Sequence, residues 1–153
     1  MGVGVLEIHL LNAKGLQDSD LLGDMDPYVV VKFRNQERKS SVARGDGGSP
    51  SWNEKLRFRA EYPGAGGEYK LVLSIMDKDT FSKDDFVGQT TIYVEDLLAL
   101  GVEKGTAEIH PRKYSITRPD QSYRGEIIVG VSFALQAKAE DREDYGGWKQ
   151  SDY

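Results

Sequence analysis

The sequence predicts an all-β protein, an antiparallel β-sandwich of eight strands. Three observations support this fold class. Apolar and polar residues alternate through most of the chain, which is the pattern of strands with one buried face. Clusters of Gly, Pro, Asp and Ser separate these segments, as turns separate the strands of a sandwich. The length of 153 residues suits one domain with its own hydrophobic core.

Four segments show the alternation most clearly, and each should bury one face. The first is GVLEIHLL, in which Leu6, Ile8 and Leu10 share a face. The other three are NEKLRFRA, EYKLVLSIMD and GEIIVGVSFAL. Their inward residues are expected to be Leu56, Phe58, Ala60, Tyr69, Leu71, Leu73, Ile75, Ile127, Val129, Val131, Phe133 and Leu135. Weaker strand candidates are YVVVKF, RKSSVA, FVGQTTIY and the region of AEIHPRKY.

The remaining segments predict little regular structure. VEDLLALG favours a short helix that stops at Gly101. Residues 1–136 should form the domain, and residues 137–153 are polar and charge-dense, which favours a flexible tail. The start of the sequence has no charged leader, and no apolar run is long enough to span a bilayer. We therefore expect a cytoplasmic protein whose membrane contacts are reversible.

Composition disfavours several functions. The net charge of −5 argues against general nucleic-acid binding, which needs a basic excess. With no cysteine there is neither a disulfide framework nor a thiolate metal site. The two histidines, His9 and His110, fall on separate predicted strands, so a zinc site is not expected.

Two inter-strand segments concentrate aspartate. LQDSDLLGDMD holds Asp18, Asp20, Asp24 and Asp26, and MDKDTFSKDDFVG holds Asp77, Asp79, Asp84 and Asp85. Against these eight aspartates stand two lysines in the second loop, so the two loops carry a net charge of −6. If they meet at one end of a sandwich, a cation must offset the repulsion. Carboxylates, a hydroxyl and carbonyl groups are hard oxygen donors that suit Ca²⁺. The alternative is that Asp simply favours turns.

An EF-hand does not explain the first segment. Asp18, Asp20 and Gly23 fit its first, third and sixth positions. Leu22 and Val29 occupy its fifth and twelfth positions, where oxygen ligands are needed. The following YVVVKF also reads as a strand and not as the exiting helix. The first segment is therefore not expected to be an EF-hand.

Three motifs in order, DLLGDMDPYVVV, SWNEKLRF and IMDKDTFSKDDFVG, resemble the C2 domain, a calcium- and phospholipid-binding β-sandwich. The resemblance covers about residues 3–135 and is specific, although Ser49 stands where the family's NPxWNE turn has Asn. The short format resembles the small plant C2-domain proteins of the elicitor-responsive and phloem types. The strand order resembles the circularly permuted (type II) topology.

The resemblance implies a set of calcium ligands, with two ions expected. Its spacing of acidic ligands matches five carboxylates of this chain, which are Asp20, Asp26, Asp77, Asp79 and Asp85. The Ser82 hydroxyl and the main-chain carbonyls of Ser19, Lys78 and Lys83 match the other ligand positions. Asp18, Asp24 and Asp84 fall outside the pattern and are expected to be solvated.

Two further groups of residues are candidates for membrane contact. Leu21, Leu22 and Phe81 sit at loop tips beside the expected ligands, and in the family such tips enter the headgroup region; the alternative is that they fold onto the core. A basic strip, defined as Lys32, Arg34, Arg38 and Lys39, is similar to phosphoinositide-binding grooves of some C2 domains. Glu37 interrupts it, and an ordinary solvated strand face is the alternative. Tyr28, Trp52, Tyr69 and Tyr123 are expected to be packing residues.

The resemblance predicts a non-enzymatic, calcium-dependent phospholipid-binding module in signalling or defence. It should act as a monomer that moves from the cytoplasm to the plasma membrane when calcium rises, with any protein partner unidentified. A metal-dependent hydrolase is one alternative, but no general base or nucleophile accompanies the aspartates. An adaptor that binds protein or RNA is another, which the acidic charge and the lack of an aromatic–basic groove disfavour.

Overall fold

Eight strands and one helix make up the computed structural model, which describes residues 2–16, 25–44 and 49–136. The strands are β1 (Gly2–Lys14), β2 (Pro27–Phe33), β3 (Gln36–Lys39), β4 (Ser51–Tyr62), β5 (Lys70–Asp77), β6 (Asp85–Tyr93), β7 (Thr106–Thr117) and β8 (Tyr123–Leu135). The helix α1 spans Glu95–Lys104, between β6 and β7. The expected flexible tail, residues 137–153, lies outside the described residues, so the domain boundary at residue 136 remains a prediction.

The strands form one antiparallel sheet in the order β3-β2-β5-β6-β7-β8-β1-β4. The sheet folds over so that its two edge strands, β3 and β4, meet. The Gln36 side chain accepts a hydrogen bond from the Arg59 N–H (3.0 Å) and donates one to the Arg59 carbonyl (2.7 Å). These bonds occupy edge groups that would otherwise be open to another strand. The eight-stranded antiparallel sandwich is therefore confirmed, and the permuted topology remains a prediction.

The core follows the alternation seen in the sequence. Leu6, Ile8 and Leu10 are fully buried, and Phe33 packs edge-on against Phe58 with ring centroids 6.2 Å apart. The inward positions of β5 and β8 are likewise buried, except Leu135, which is 37% exposed where β8 ends. The predicted strand RKSSVA is represented only by its first residues, because β3 ends at Lys39.

The helix runs past the residue predicted to stop it. Gly101 is buried inside α1, and a Cβ there would lie 2.3 Å from the Phe133 ring, so glycine lets the helix approach β8 closely. The helix instead ends at Gly105, whose φ of 94° favours glycine and whose N–H donates to the Gly101 carbonyl (2.8 Å). The prediction of a stop at Gly101 was wrong because packing, not capping, explains this glycine. No helix of the described residues is long and apolar enough to cross a bilayer.

The strand directions bring several connections to one end of the sandwich, which we call the loop end. Pro27 at the start of β2 and Asp85 at the start of β6 both pair with Asp77 at the end of β5. The β7–β8 turn, residues 118–122, lies at the same end. The end of β1 leads into the first acidic segment, and Lys14 there pairs with Glu126 near the start of β8. Helix α1 lies at the opposite end, because β6 runs away from the loop end to Tyr93.

Candidate functional site

Asp77 lies at the centre of the acidic end of the sheet. Its Oδ1 atom accepts a hydrogen bond from the Asp26 N–H at 2.9 Å, and the Lys78 N–H donates to the Asp26 carbonyl at the same distance. Asp85 lies directly opposite Asp77 on the neighbouring strand. Hydrogen bonding of β2, β5 and β6 therefore fixes three of the expected ligands, Asp26, Asp77 and Asp85, next to one another.

The carboxylates act on each other electrostatically. Burial raises the pKa of Asp77, the hydrogen bond from the Asp26 N–H opposes this rise, and the charges of Asp26, Asp85 and Asp79 raise the pKa further. A raised carboxyl pKa means that the fold disfavours the ionised form. The structure thus brings four of the five expected carboxylates to one place. The fifth, Asp20, lies outside the described residues, as do Ser19, Leu21 and Leu22.

Asp79 is held by its own loop. Its Oδ1 accepts hydrogen bonds from the N–H groups of Phe81 (2.9 Å) and Ser82 (3.3 Å), and its Oδ2 accepts one from the Ser82 hydroxyl (2.8 Å). The bonds to Phe81 and to the Ser82 hydroxyl lower the pKa of Asp79 more than its slight burial raises it. The Ser82 hydroxyl lies 3.5 Å from the Lys83 carbonyl, so two further expected ligands flank Asp79.

Asp84 has a structural role that the sequence did not reveal. The buried Tyr28 donates its hydroxyl hydrogen to Oδ2 of Asp84 at 2.5 Å, and the Asp79 N–H donates to Oδ1 at 3.0 Å. The Lys78 ammonium lies 3.8 Å from the same carboxylate. These contacts lower the pKa of Asp84, and the bond to Asp84 raises the pKa of Tyr28 to about 12. The expectation of a solvated Asp84 was wrong, because it ties β2 to the β5–β6 loop.

The donor set fits calcium in its chemistry. It consists of carboxylates, a hydroxyl and carbonyl groups, with no nitrogen or sulfur among the expected ligands, and hard cations prefer such oxygen donors. Across the described ranges, no group of three or more acidic or histidine side chains is arranged so that it could hold a metal ion. Binding of an ion would therefore require a rearrangement of these side chains, among which Asp79 is bonded to the Phe81 N–H and to Ser82.

Exposed aromatic side chains surround the acidic end. Phe81, at the tip of the β5–β6 loop, is 96% exposed, so it does not fold back onto the core. Phe86 at the start of β6 is 42% exposed, and Tyr123 at the start of β8 is 74% exposed. Tyr28, Trp52 and Tyr69 are buried as expected, but the prediction that Tyr123 packs in the core was wrong. The polar turn that precedes Tyr123 in the sequence was the signal that could have indicated its exposure.

The basic strip does not form one patch. Lys32 and Lys39 lie on one face, since their partners across the ladder are Glu37 and Val30. Arg38 is opposite Val31, on the other face, where its guanidinium stacks 5.4 Å above the Phe58 ring and donates to the Arg57 carbonyl. Arg34 lies at the β2–β3 turn, far from the loop end.

Local bonds also occupy the basic groups. Arg34 donates to the carbonyls of Ala65 and Glu68 and stacks above Tyr69, and the Lys32 ammonium is 3.8 Å from Glu37. Lys39 lies close enough to Asp84 to help lower its pKa. The structure therefore leaves Lys32 and Lys39 as the members of the basic strip that share an exposed face.

The fold and the site together define a class of protein: an antiparallel β-sandwich that gathers carboxylates and exposed apolar side chains at one end. The chain matches the C2 domain family over residues 4–110. The chain belongs to the C2 domain family.

Comparison with individual proteins supports this assignment. The 16 kDa phloem protein 1 of Arabidopsis thaliana is 54% identical over 153 residues, which cover 99% of this chain and 98% of that protein. A solved C2 domain-containing protein from an elicitor-responsive gene is 40% identical, with a TM-score of 0.70 over 89% of this chain and 92% of the other. A calcium-bound structure of two C2 domains of Extended-Synaptotagmin 2 is 25% identical, with a TM-score of 0.65 over 94% of this chain and 51% of the other.

Proposed function

We propose that this protein is a non-enzymatic module that binds anionic phospholipid membranes when calcium rises. The observation that carries the proposal is the convergence of Asp26, Asp77, Asp79 and Asp85 beside the exposed ring of Phe81. The carboxylates account for a requirement for cations, and the Phe81 ring supplies an apolar surface. Membership of the C2 family, and the calcium-bound state of a solved relative with the same fold, support this combination.

The carboxylates and the flanking donors would hold the metal. Two calcium ions would be held by the four described carboxylates together with Asp20, the Ser82 hydroxyl and the carbonyls of Ser19, Lys78 and Lys83. Bound calcium supplies positive charge at the loop end and open coordination positions for lipid oxygens. The chain itself contributes the placement of the backbone, because strand pairing sets Asp77 opposite Asp85.

Charge explains why membrane binding would depend on calcium. The two acidic loops carry −6 and are repelled by an anionic leaflet in the absence of divalent ions. Once this charge is offset, Phe81 can enter the headgroup region together with Leu21 and Leu22. Burying one such side chain stabilises the bound state by about 1.5–3 kcal/mol. That magnitude gives reversible docking and not permanent anchoring.

We propose a non-enzymatic protein because both histidines lie away from the acidic cluster. His9 is in the middle of β1 and bonds through Nε2 to Asn53 Oδ1 (2.7 Å), and His110 is an exposed residue of β7 next to Glu108. Neither is near the acidic cluster, where a general base would have to act. We therefore assign the carboxylates to binding and not to hydrolysis.

The cellular setting is part of the same proposal. A solved relative comes from an elicitor-responsive gene, which favours a role in signalling or defence. We propose that the protein is a cytoplasmic monomer that moves to the plasma membrane when calcium rises. Of the basic strip, Lys32 and Lys39 remain the proposed phosphoinositide contacts, because they share an exposed face near Asp84.

Vesicle co-sedimentation tests the proposal. Wild-type protein should pellet with vesicles of phosphatidylcholine and phosphatidylserine in calcium and stay in the supernatant with a chelator. A variant with Asp77→Asn and Asp79→Asn should not pellet in either condition. Glu103→Gln is the matched control, because Glu103 is an exposed acidic residue at the end of α1, away from the loop end. Equal pelleting with and without calcium, or none in both, would contradict the proposal.

A further inference from the structure

A cleft of about 280 Å³ opens beside the acidic cluster. Asp77 and Asp85 form one part of its wall, and Arg118 and Arg124 from the β7–β8 hairpin form another. Leu16 and Phe86 contribute apolar surface. The cleft thus combines two carboxylates of the proposed calcium site with two guanidinium groups that belong to none of the expected ligand loops.

A β-bulge places Arg124 in this cleft. The register between β7 and β8 shifts between Ser115 and Thr117, where Gly125 has a φ of 75°. A Cβ on Gly125 would lie 2.3 Å from the Lys14 carbonyl oxygen, so only glycine fits here. Bulges re-aim neighbouring side chains. At this bulge Arg124 lines the cleft with its Nε buried, and Tyr123 next to it stays exposed.

The hairpin turn that carries Arg118 is held by its own bonds. The Arg118 N–H donates to the Ser122 carbonyl (2.7 Å), and the Gln121 N–H donates to the Arg118 carbonyl (2.9 Å). Asp120 accepts hydrogen bonds from both the N–H (3.0 Å) and the hydroxyl (2.5 Å) of Ser122. Arg118 therefore belongs to a pre-organised turn and Arg124 to the strand that follows it, which lowers the entropy cost of ligand binding.

Charge complementarity indicates what the cleft binds. Guanidinium groups recognise phosphate oxygens through paired hydrogen bonds. The four charged groups of the cleft sum to zero when both carboxylates are ionised, since two arginines balance Asp77 and Asp85. Calcium on those carboxylates would leave the cleft net positive. Its affinity for an anion would then rise together with calcium occupancy.

We propose that Arg118 and Arg124 form a subsite for the phosphate of an anionic phospholipid headgroup, with Tyr123 seated at the membrane interface. This inference rests on the proposed function and extends the membrane contact to the β7–β8 hairpin. The membrane is the source of the phosphate, because exposed apolar surface adjoins the cleft: Phe86, which lines it, is 42% exposed, and Tyr123, next to Arg124 in the chain, is 74% exposed. Tyrosine is a residue that favours this boundary between apolar and aqueous phases.

The first experiment compares single variants in calcium. Arg118→Gln and Arg124→Gln should each bind phosphatidylserine vesicles about fivefold more weakly than wild type, the effect of one basic residue near an anionic surface. Calcium binding without lipid, measured by calorimetry, should be retained or tightened, because each change removes a positive charge beside Asp77 and Asp85. Lys104→Gln, at the far end of α1, removes the same charge and should bind vesicles like wild type.

The outcomes separate the two proposals. Wild-type vesicle binding that both arginine variants retain would overturn the subsite and leave the proposed function intact. Failure of wild type itself to bind vesicles in calcium would overturn both. If soluble glycerophosphoserine binds wild type as tightly as vesicles do, a free phosphate compound is the ligand and the membrane assignment is wrong.

A second measurement does not depend on the folding of Arg124→Gln. The chain has no cysteine, so Gln121→Cys can carry a single environment-sensitive dye in the hairpin turn. Its fluorescence should rise when vesicles and calcium are both present. The same dye at Glu103→Cys, at the end of α1 away from the site, should not respond. A silent dye at position 121 during vesicle binding would overturn the proposed contact.

Discussion

Asp77→Asn should be more stable than wild type in one calcium condition and less stable in the other. In the native chain the Asp77 carboxylate is surrounded by those of Asp26, Asp79 and Asp85. Asparagine keeps the oxygen that accepts the Asp26 N–H and removes the charge. Without calcium the variant should therefore be more stable than wild type, and with calcium it should be less stable.

The magnitude follows from the position of Asp77 opposite Asp85. Directly opposed residues of neighbouring antiparallel strands have Cβ atoms about 5 Å apart. Two charges at that distance repel by about 3 kcal/mol at an effective dielectric constant near 20. Partial exposure and salt reduce this to about 1 kcal/mol. For a domain of this size, that corresponds to a rise in Tm of about 2–4 °C.

Calcium acts in the other direction. At an ion concentration about 100 times the dissociation constant, binding to the folded state stabilises wild type by about 2.7 kcal/mol. Calcium should therefore raise the Tm of wild type by about 5–10 °C and should raise that of Asp77→Asn much less.

The pKa of Asp77 adds a check on pH. Its folded-state pKa is raised, so the stability associated with this group is fully present below its ordinary value of 3.8 and is lost as pH rises through the raised pKa. The calcium-free advantage of Asp77→Asn should therefore disappear below pH 3.8.

Differential scanning calorimetry with and without chelator measures these effects. Glu103→Gln is the control, since it removes one negative charge at the end of α1, away from the acidic cluster. If Asp77→Asn lowers Tm in the absence of calcium, the carboxylates are not mutually repelling and the reasoning fails. If both proteins respond equally to calcium, Asp77 is not a ligand.

Three further predictions concern single contacts. Phe81→Ala should leave the free energy of unfolding within about 0.5 kcal/mol of wild type, because the ring is exposed. It should weaken vesicle binding at least about tenfold; sedimentation with unchanged affinity would contradict membrane insertion. Tyr28→Phe should be less stable than wild type at pH 7, since the bond to Asp84 is lost. The folded-state pKa of Tyr28 is raised from 10.0 to about 12, so the difference in unfolding free energy between wild type and variant should be complete below pH 10 and should vanish as pH rises through 12. Urea unfolding at a series of pH values measures this difference. Gly101→Ala should destabilise the fold by about 1–3 kcal/mol, because its Cβ would meet Phe133, despite the better helix propensity of alanine; an unchanged Tm would contradict the close packing of α1.

Strand assignments followed from the sequence because period-two alternation reports directly on burial. Leu6, Ile8 and Leu10 are buried as that pattern requires. The end of the helix was misplaced because a glycine that breaks a helix and one that permits close packing look alike in sequence. The two are distinguished in the structure by the Phe133 ring that packs against Gly101 and by the φ of 94° at Gly105.

The site was less predictable where it depends on tertiary contacts. The resemblance to the C2 domain indicated which carboxylates would meet, and the pairing of β2, β5 and β6 places Asp26, Asp77 and Asp85 next to one another. The sequence could not show that Asp84 bonds to Tyr28, because these residues are 56 positions apart. Nor could it place Arg38 on the inner face, since β3 is too short to show an alternation of its own.

Under the proposed function, calcium would act mainly through its charge, because strand hydrogen bonds already fix the backbone of the loop end. Asp77 and Asp85 are fixed by strand pairing, and Asp26 is tied to Asp77 through its N–H and to Lys78 through its carbonyl. Asp79 is bonded to the N–H groups of Phe81 and Ser82 and to the Ser82 hydroxyl. Under the proposed function the acidic side chains would rearrange around calcium while the strand backbone keeps its pairing. The bound ions would then remove the repulsion from the membrane, and Phe81 could insert.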